Sequence, residues 1–313
     1  MSPEEEEKLE TLNAVFSPSA PILSRDFFYG RYQELKKVED AIREKGQHVV
    51  LYGERGVGKT SFANIVDREM GATLTAKVTV NRNSTFSELW TELLRKAERA
   101  MARDSKDQMH FQDREFLKTK LDSHSLIDYL EKIDKPILFI FDEFDSLTKK
   151  PVMSLFADTI KSVSDNLPHI SLLFVGIAGS VNELIGEHPS LERCLRQIRV
   201  PRMSDEELGE IIDKGMSRLK MSMDKTVRSD IIAFSQGFPH YTHLLAKYSA
   251  LNAIKLHYNY VARNNFDAAI SDAIDNAHES IRDSYQKAVL TSKEKSFYNE
   301  VVYACALVEE DEH

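Results

Sequence analysis

The chain has 313 residues, of which 42% are hydrophobic and 29% are charged, a composition typical of globular proteins and not of disordered ones. Its length allows about two domains. The formal net charge of −9 argues against a protein that wraps nucleic acid over its whole surface, although a local basic face stays compatible with it. The sequence has no apolar run long enough to span a membrane, no signal peptide and two widely separated cysteines, so we expect a cytoplasmic protein without membrane contact.

The first segment, residues 1–25, is predicted to be an N-terminal arm: a solvated acidic leader followed by an extended stretch whose prolines prevent a helix. Residues 26–31 then lead into an amphipathic helix. Two interpretations of residues 26–31 stay open. They pack against the edge of a sheet, or Tyr29 and Arg31 form the wall of a pocket for the base of a nucleotide held by the next segment.

That next segment is the most informative stretch of the chain. The apolar residues 48–52 break into a glycine-rich turn that fits the P-loop pattern G-x-x-x-x-G-K-[ST] and opens a helix. Glycines permit positive φ, so successive amide N–H groups can surround a phosphate, and the helix adds the positive end of its dipole. The predicted nucleotide-binding residues of the turn are Gly53, Glu54, Arg55, Gly56, Val57, Gly58, Lys59, Thr60 and Ser61.

Two side chains of this turn have predicted roles of their own. Lys59 is expected to reach the β- and γ-phosphates of ATP, and the hydroxyl of Thr60 to bind a magnesium ion that bridges them. The alternative is a glycine-rich strand-to-helix turn that matches the pattern by chance, which the four fixed positions and the preceding strand disfavour.

A second informative stretch follows a further strand near residues 74–80 and two helices. Residues 137–141 are an uninterrupted apolar run, typical of a strand buried on both faces, and two carboxylates come directly after it. Asp142 is predicted to hold magnesium through water, and Glu143 to polarise the water that attacks the γ-phosphate. An acid pair at a helix N-terminus is the alternative, but the position behind a P-loop favours the catalytic role.

Two later segments have weaker signals. A buried strand that begins near residue 169 ends in small residues up to Ser180, which either make a tight turn or let the backbone or a side chain approach the γ-phosphate. Four arginines then follow within ten residues. They form a solvated face, or one of them, such as Arg193, stabilises transferred phosphate charge in the same or a neighbouring subunit.

From Ser204 onward the pattern is helical. A capping box opens an amphipathic helix, and a later helix restarts at Pro239 and His240. We therefore predict an α/β core of residues 26–203, a helical lid of residues 204–290, and in residues 291–313 the start of a further C-terminal region, for example a winged helix, that continues in a longer natural protein.

In this order the motifs resemble those of AAA+ ATPases, and within them the origin-recognition-like and STAND NTPases of prokaryotes. The resemblance covers residues 26–260 and is carried most specifically by the P-loop and by Asp142 and Glu143. It implies an AAA+-like P-loop NTPase fold: a parallel sheet of about five strands in the order 5-1-4-3-2, covered by helices, plus an all-helical lid. It also implies ATP or ADP with magnesium and nucleotide-dependent homo-oligomers.

The same resemblance assigns roles to four further residues. Arg193 corresponds to the arginine finger, Ser180 lies near the first sensor, and Pro239 and His240 correspond to the second sensor. The chain departs from the family at both sensors, since the first is commonly Asn and the second commonly Arg. We therefore expect slow hydrolysis of ATP.

Three functions follow from these expectations. The first is an ATP-hydrolysing molecular switch whose nucleotide state controls self-association and a protein partner or effector domain, for example in antiviral defence. The second is a loader, initiator or transposition-regulator ATPase that binds DNA, although no basic surface or winged helix is evident. The third is a scaffold that binds nucleotide permanently and does not hydrolyse it.

Overall fold

The computed structural model describes residues 3–70, 73–104, 121–176 and 189–275, and the structural statements below refer to these residues. The predictions for Ser180 and for residues 291–313 lie outside them. The strands are β1 (His48–Tyr52), β2 (Leu74–Thr79), β3 (Ile137–Asp142), β4 (Ile170–Gly176), β5 (Leu195–Arg199), β6 (Ser222–Met223) and β7 (Tyr260–Val261). The helices are α1 (Pro3–Val15), α2 (Tyr32–Arg43), α3 (Lys59–Glu69), α4 (Phe86–Asp104), α5 (Ser123–Leu130), α6 (Lys150–Asn166), α7 (Asp205–Arg218), α8 (Lys225–Ser235), α9 (Pro239–Lys255) and α10 (Arg263–Asp275).

The five longer strands form one parallel sheet in the order β2-β3-β4-β1-β5. This is the expected order 5-1-4-3-2 counted from the other edge, so the prediction is confirmed. Strands β3 and β4 are buried along their whole length, as apolar runs covered by helices on both faces should be. The carboxyl ends of parallel strands meet at one edge of the sheet, and ligands of such sheets bind in the crevice outside that edge.

Two apolar cores lie on opposite faces of the sheet, because alternate residues of β3 belong to different cores. On one face α4, α5 and α6 cover an aromatic cluster around Trp90, which meets Phe139 and Phe141 edge-on with centroids 5.2 and 5.3 Å apart. On the other face α2 and α3 pack on the sheet. None of the helices in the described part of the chain has the length and apolar composition that a bilayer crossing requires.

The lid, α7 to α10, has an apolar core of its own. Its first helix begins with the predicted capping box, in which the side chains of Ser204 and Glu207 each accept from the other's backbone N–H. The lid is helical apart from β6 and β7, which pair over two residues each. The sequence pattern did not show these strands because two residues carry no alternation. The boundaries of the predicted domains stay predictions.

The N-terminal arm differs from the solvated leader that the sequence suggested. Its acidic residues lie in α1, and the side chains of Leu12, Val15 and Phe16 are buried in the lid core. These three residues are spaced as one stripe of a helix, and the acidic composition around them concealed that stripe. Residues 16–24, here called the strap, then run without regular helix or strand from the lid to the core.

Candidate active site

The P-loop joins β1 to α3 at the carboxyl edge of the sheet. Its glycines are required by geometry at three places. Gly56 and Gly58 have φ values of 88° and 92°, a region that side chains other than glycine rarely adopt. A Cβ atom at Gly53 would stand 2.3 Å from the carbonyl oxygen of Val200, the residue that follows β5. The sequence pattern therefore corresponds to a backbone turn that only glycine can make.

Lys59 closes this turn. Its ammonium group donates to the carbonyl oxygens of Gly53, at 2.9 Å, and of Glu54, at 2.8 Å. Burial lowers the pKa of Lys59, while the carboxylates of Asp145 and Asp142 act in the opposite direction. In this structure the charge of Lys59 is thus held by two carbonyl oxygens of its own loop.

Asp142 ends β3 and is almost completely buried. Its Oδ1 atom accepts from the backbone N–H of Glu143 at 3.0 Å and lies 3.4 Å from the hydroxyl oxygen of Thr60. Its Oδ2 atom lies 2.9 Å from the ammonium nitrogen of Lys77, on the neighbouring strand β2. The predicted pair Thr60 and Asp142 is therefore brought together, and Lys77 is a partner that sequence reasoning missed.

Glu143 leaves the strand in a left-handed conformation, with φ 56° and ψ 37°. This conformation is uncommon for a residue with a side chain and costs roughly 1–3 kcal/mol, so it persists only where the surroundings enforce it. The turn exposes Glu143, whereas the adjacent Asp142 stays buried. Two consecutive carboxylates thus have different environments, one inside the protein and one facing solvent.

A cavity of about 620 Å³ contains most of these groups. Its lining includes most of the predicted loop residues together with Asp142 and Glu143. Sequence reasoning missed several other lining residues, namely Pro21, Arg82, Asp145, Ser146, Thr148 and Val175. Arg82 follows β2, whose carboxyl end neighbours that of β3. Ligands of parallel sheets bind outside the carboxyl ends of the strands, so the position of Arg82 in the sequence could have indicated that it lies at the site.

The start of α9 lies directly over the P-loop. A Cβ atom at Gly56 would be 3.5 Å from the ring of Phe238, and one at Gly58 would be 3.7 Å from Pro239. The predicted residue Pro239 is therefore next to the phosphate cradle. The Nδ1–H of His240 donates to the carbonyl oxygen of Pro18 in the strap at 2.8 Å, so in this structure the imidazole engages the strap.

An ion pair connects the P-loop to the lid on the same side. The guanidinium of Arg202 donates to the carboxylate of Glu54 at 3.0 and 3.1 Å and lies 4.7 Å from the ring centroid of Phe238. In the sequence Arg202 is the last of the four arginines of the basic segment. Its pairing depends on a fold that brings the end of β5 beside the P-loop.

Tyr29 and Arg31 lie between core and lid and are not among the residues that line the 620 Å³ cavity. The guanidinium of Arg31 donates to the carbonyl oxygen of Pro201, and its backbone N–H to Glu207, each at 2.7 Å. Burial lowers the pKa of Arg31 and raises that of Tyr29. Among the described residues the Tyr29 hydroxyl has no hydrogen-bond partner. Their contact with a nucleotide stays a prediction.

Arg193 lies on the surface at the end of a short 3-10 helix, Pro189–Arg193. Its guanidinium donates to Asp165 at 2.7 Å and does not line the cavity of its own chain. A role as an arginine finger would therefore require a second subunit, and it stays a prediction. Ser180, the residue named for the first sensor, lies outside the described residues.

Comparison with known proteins agrees with this geometry. A sequence profile described as AAA ATPase domain matches residues 28–175, which include the P-loop, β3 and the two carboxylates. The resemblance to AAA+ ATPases is confirmed, and the matched segment ends before the lid begins.

Solved structures show the same fold over more of the chain. The Walker-type ATPase PABY2304 of Pyrococcus abyssi superimposes with a TM-score of 0.60 at 17% identity, covering 87% of this chain and 79% of that one. The Aeropyrum pernix ORC2 protein, in ADPNP–ADP complexes, gives 0.59 at 16% identity, covering 94% and 88%. The Aeropyrum pernix ORC1 protein in complex with DNA gives 0.55 at 18% identity, covering 83% and 69%. Identities this low support a shared fold only.

Proposed function

We propose that this chain, whose residues 28–175 match the AAA ATPase domain profile, binds ATP with magnesium, hydrolyses it slowly and uses its nucleotide state to control self-association and a partner or effector. The observation that carries the proposal is a single cavity lined by the P-loop, by Thr60 beside Asp142 and by the exposed carboxylate of Glu143. These are the groups that phosphoryl transfer to water requires.

The P-loop supplies the binding part. Its backbone N–H groups and the N-terminus of α3 present partial positive charge to an anion, and Lys59 adds a full charge. The cavity volume of about 620 Å³ lies within the usual range for small-molecule sites. A nucleoside triphosphate is the ligand that this combination fits.

The donor set also fits magnesium. Thr60 and Asp142 place a hydroxyl and a carboxylate oxygen 3.4 Å apart, and hard oxygens are the ligands that magnesium prefers. These two residues would hold the ion together with phosphate oxygens and water, and the bound ion would neutralise charge on the phosphates.

Glu143 supplies the base in this proposal. Its carboxylate lines the cavity next to Asp142, and its solvent exposure permits contact with an attacking water. Arg193 is paired with Asp165 on the surface, so in this proposal it would act from a neighbouring subunit. An arginine supplied by a neighbouring subunit would make hydrolysis depend on assembly, as the proposed switch requires.

The experiment measures ATP binding, ATP turnover and mass in solution for the wild type, Lys59→Ala and Glu143→Gln. We expect slow turnover in the wild type and its loss in both variants, since Lys59→Ala removes the phosphate-binding charge and Glu143→Gln removes the base. Growth of mass on adding ATP and magnesium should survive in Glu143→Gln. Tight binding without turnover or mass change in the wild type would instead indicate the nucleotide-bound scaffold.

A DNA-binding ATPase is the second candidate, and the fold shared with an ORC1 protein solved in complex with DNA favours it. Titration with duplex DNA at several salt concentrations separates the two proposals. Affinity that falls steeply as salt rises would support contact with phosphates. If ATP turnover and self-association do not change when DNA is added, the result favours the molecular switch.

A further inference from the structure

We infer that Lys77 on β2 is a positioning residue for the magnesium-side carboxylate: it holds one oxygen of Asp142 so that the other faces Thr60. This inference rests on the proposed function, because it assigns a role within the same site. Sequence reasoning passed over Lys77, which is the charged residue of a strand whose neighbouring residues Ala76 and Val78 are buried on the other side.

The contacts of Lys77 are unusual for a lysine. Only 14% of its side chain is exposed, and its ammonium nitrogen lies 2.9 Å from Oδ2 of Asp142, whose side chain is 2% exposed. The same ammonium donates to the side-chain oxygen of Asn64 on α3. A lysine normally keeps its charge in water, so burial between two fixed acceptors indicates a defined structural task.

The register of the sheet explains how the lysine reaches this position. In the parallel pairing of β2 with β3, Thr79 is opposite Asp142 and Lys77 is opposite Ile140. Lys77 and Thr79 therefore project from the same face, and the four-carbon side chain of Lys77 extends along the strand to the carboxylate. A shorter side chain at this position would not cover the distance of two residues.

The need for such a partner follows from the freedom of an aspartate side chain. The terminal torsion of aspartate is broad, so a carboxylate keeps one orientation only if both oxygens are held. Oδ1 accepts from the backbone N–H of Glu143 and faces Thr60, while Lys77 holds Oδ2. Among the described residues Lys77 is the donor to Oδ2. Without it this oxygen is no longer held, and the carboxylate becomes free to rotate.

The contacts also extend away from the site. Asn64, the second acceptor for Lys77, donates through its amide nitrogen to the carbonyl oxygen of Ile22 in the strap at 3.4 Å. The backbone N–H of Ile22 donates to the hydroxyl of Ser61 in the P-loop helix at 3.0 Å. The position of Lys77 is thus supported from α3, which also carries Thr60 at its first turn.

The test compares magnesium dependence, not activity alone. Binding of a fluorescent ADP analogue is titrated with MgCl2 in the wild type, Lys77→Met and Lys77→Arg. Lys161→Met, which removes one exposed lysine on α6, controls for net charge. We expect unchanged affinity in EDTA for all four proteins. Magnesium should tighten the binding of the analogue, and the MgCl2 concentration at the midpoint of this effect should rise about 10- to 100-fold in Lys77→Met, the usual effect of losing an outer-shell partner. In Lys77→Arg the midpoint should return part of the way to the wild-type value.

Lys77→Met leaves a buried carboxylate without its cation, so Lys77→Gln, which keeps an N–H donor, is measured in parallel together with urea unfolding of each variant. A magnesium midpoint that stays at the wild-type value in folded Lys77→Met or Lys77→Gln would overturn the inference and leave a structural ion pair. A lower midpoint would also overturn it, because Lys77 would then be a competing charge. If the nucleotide affinity of the wild-type protein does not change with magnesium, the proposed function itself is refuted.

Discussion

The two sides of the nucleotide cavity are built in different ways. On the core side the groups are held by backbone geometry and burial: glycines with positive φ form the loop, and Asp142 sits at the end of a fully buried strand. On the lid side the contacts are made by side chains at the surface, such as Arg202 with Glu54 and His240 with Pro18. Exposed pairs of this kind are worth little free energy, so the loss of either pair should cost little stability.

This difference suits a nucleotide-dependent switch. In the proposed switch the core side would bind phosphate in the same way in every state, while the lid side would respond to what is bound. The strap belongs to both halves, because Phe16 is buried in the lid core and Ile22 bonds to α3. The comparison predicts that substitutions in the core change stability, whereas substitutions at the lid contacts change lid position with little loss of stability.

The largest effect is expected from Trp90→Ala on the core side. Trp90 is completely buried between Phe86, Phe139 and Phe141, and its loss should lower the free energy of unfolding by about 3–5 kcal/mol. Urea unfolding followed by circular dichroism measures it. Trp90→Phe keeps most of the packing and serves as the control. A loss below about 1 kcal/mol in the alanine variant would contradict a close-packed core.

Acid should weaken both halves, because the described part of each contains a buried histidine. Burial lowers the pKa of His48 in the core to about 4, and burial together with the nearby His240 lowers that of His243 in the lid to about 4. Both side chains are neutral in the folded protein at pH 7. The unfolded chain takes up the protons first as pH falls below about 6.5, so stability is present above that pH and is lost towards pH 4.

Protonation of each of these histidines in the unfolded chain should lower the free energy of unfolding by up to about 3 kcal/mol at pH 4. His243 has no hydrogen-bond partner among the described residues, whereas His48 accepts from the Leu172 N–H and donates to Ile160. His243→Leu should therefore flatten the pH dependence without opening the sheet core. Urea unfolding at several pH values between 7 and 4 measures it, and an unchanged slope in this variant would show that His243 titrates normally.

A smaller effect is expected where the strap is anchored in the lid. A Cβ atom at Gly215 would stand 2.3 Å from the ring of Phe16, so Gly215→Ala should displace Phe16 and cost about 1–3 kcal/mol. Gly209→Ala in the same helix is the matched control, because its Cβ would meet only the movable end of Arg228. Limited proteolysis of the N-terminal arm, alongside urea unfolding, should show faster cleavage in Gly215→Ala alone.

The smallest change in stability is expected from Arg202→Ala. Its ion pair with Glu54 and its contact with the Phe238 ring should together contribute about 1 kcal/mol or less, since both groups are partly exposed. Faster dissociation of a fluorescent nucleotide, measured by stopped flow, would show that the lid opens more readily. Arg196→Ala removes an exposed pair with Glu44, between β5 and the end of α2 in the core, and should leave dissociation unchanged. Equal nucleotide dissociation rates in the Arg202→Ala and control variants would contradict a role of Arg202 in keeping the lid closed.

Much of the core could be predicted from the sequence, because its signals are local. The P-loop needs glycine at fixed positions for a turn that is complete within a few residues, and an apolar run of strand length marks β3 wherever it lies. Family resemblance then supplied the order of the strands. Residues with roles implied only by resemblance, such as Arg193 and His240, are paired with Asp165 and Pro18 in this structure, and their roles stay predictions.

The sequence by itself determined the phosphate-binding turn and the pair of carboxylates, since the chemistry and the backbone geometry lie in the same short segments. Only the tertiary structure decided that Lys77 holds Asp142, that Phe16 is buried in the lid and that Arg202 meets Glu54. Each of these contacts joins segments far apart in the chain, and no local pattern encodes such a distance. A buried lysine and an exposed one look alike in a sequence, and the fold determines which acceptors lie within reach.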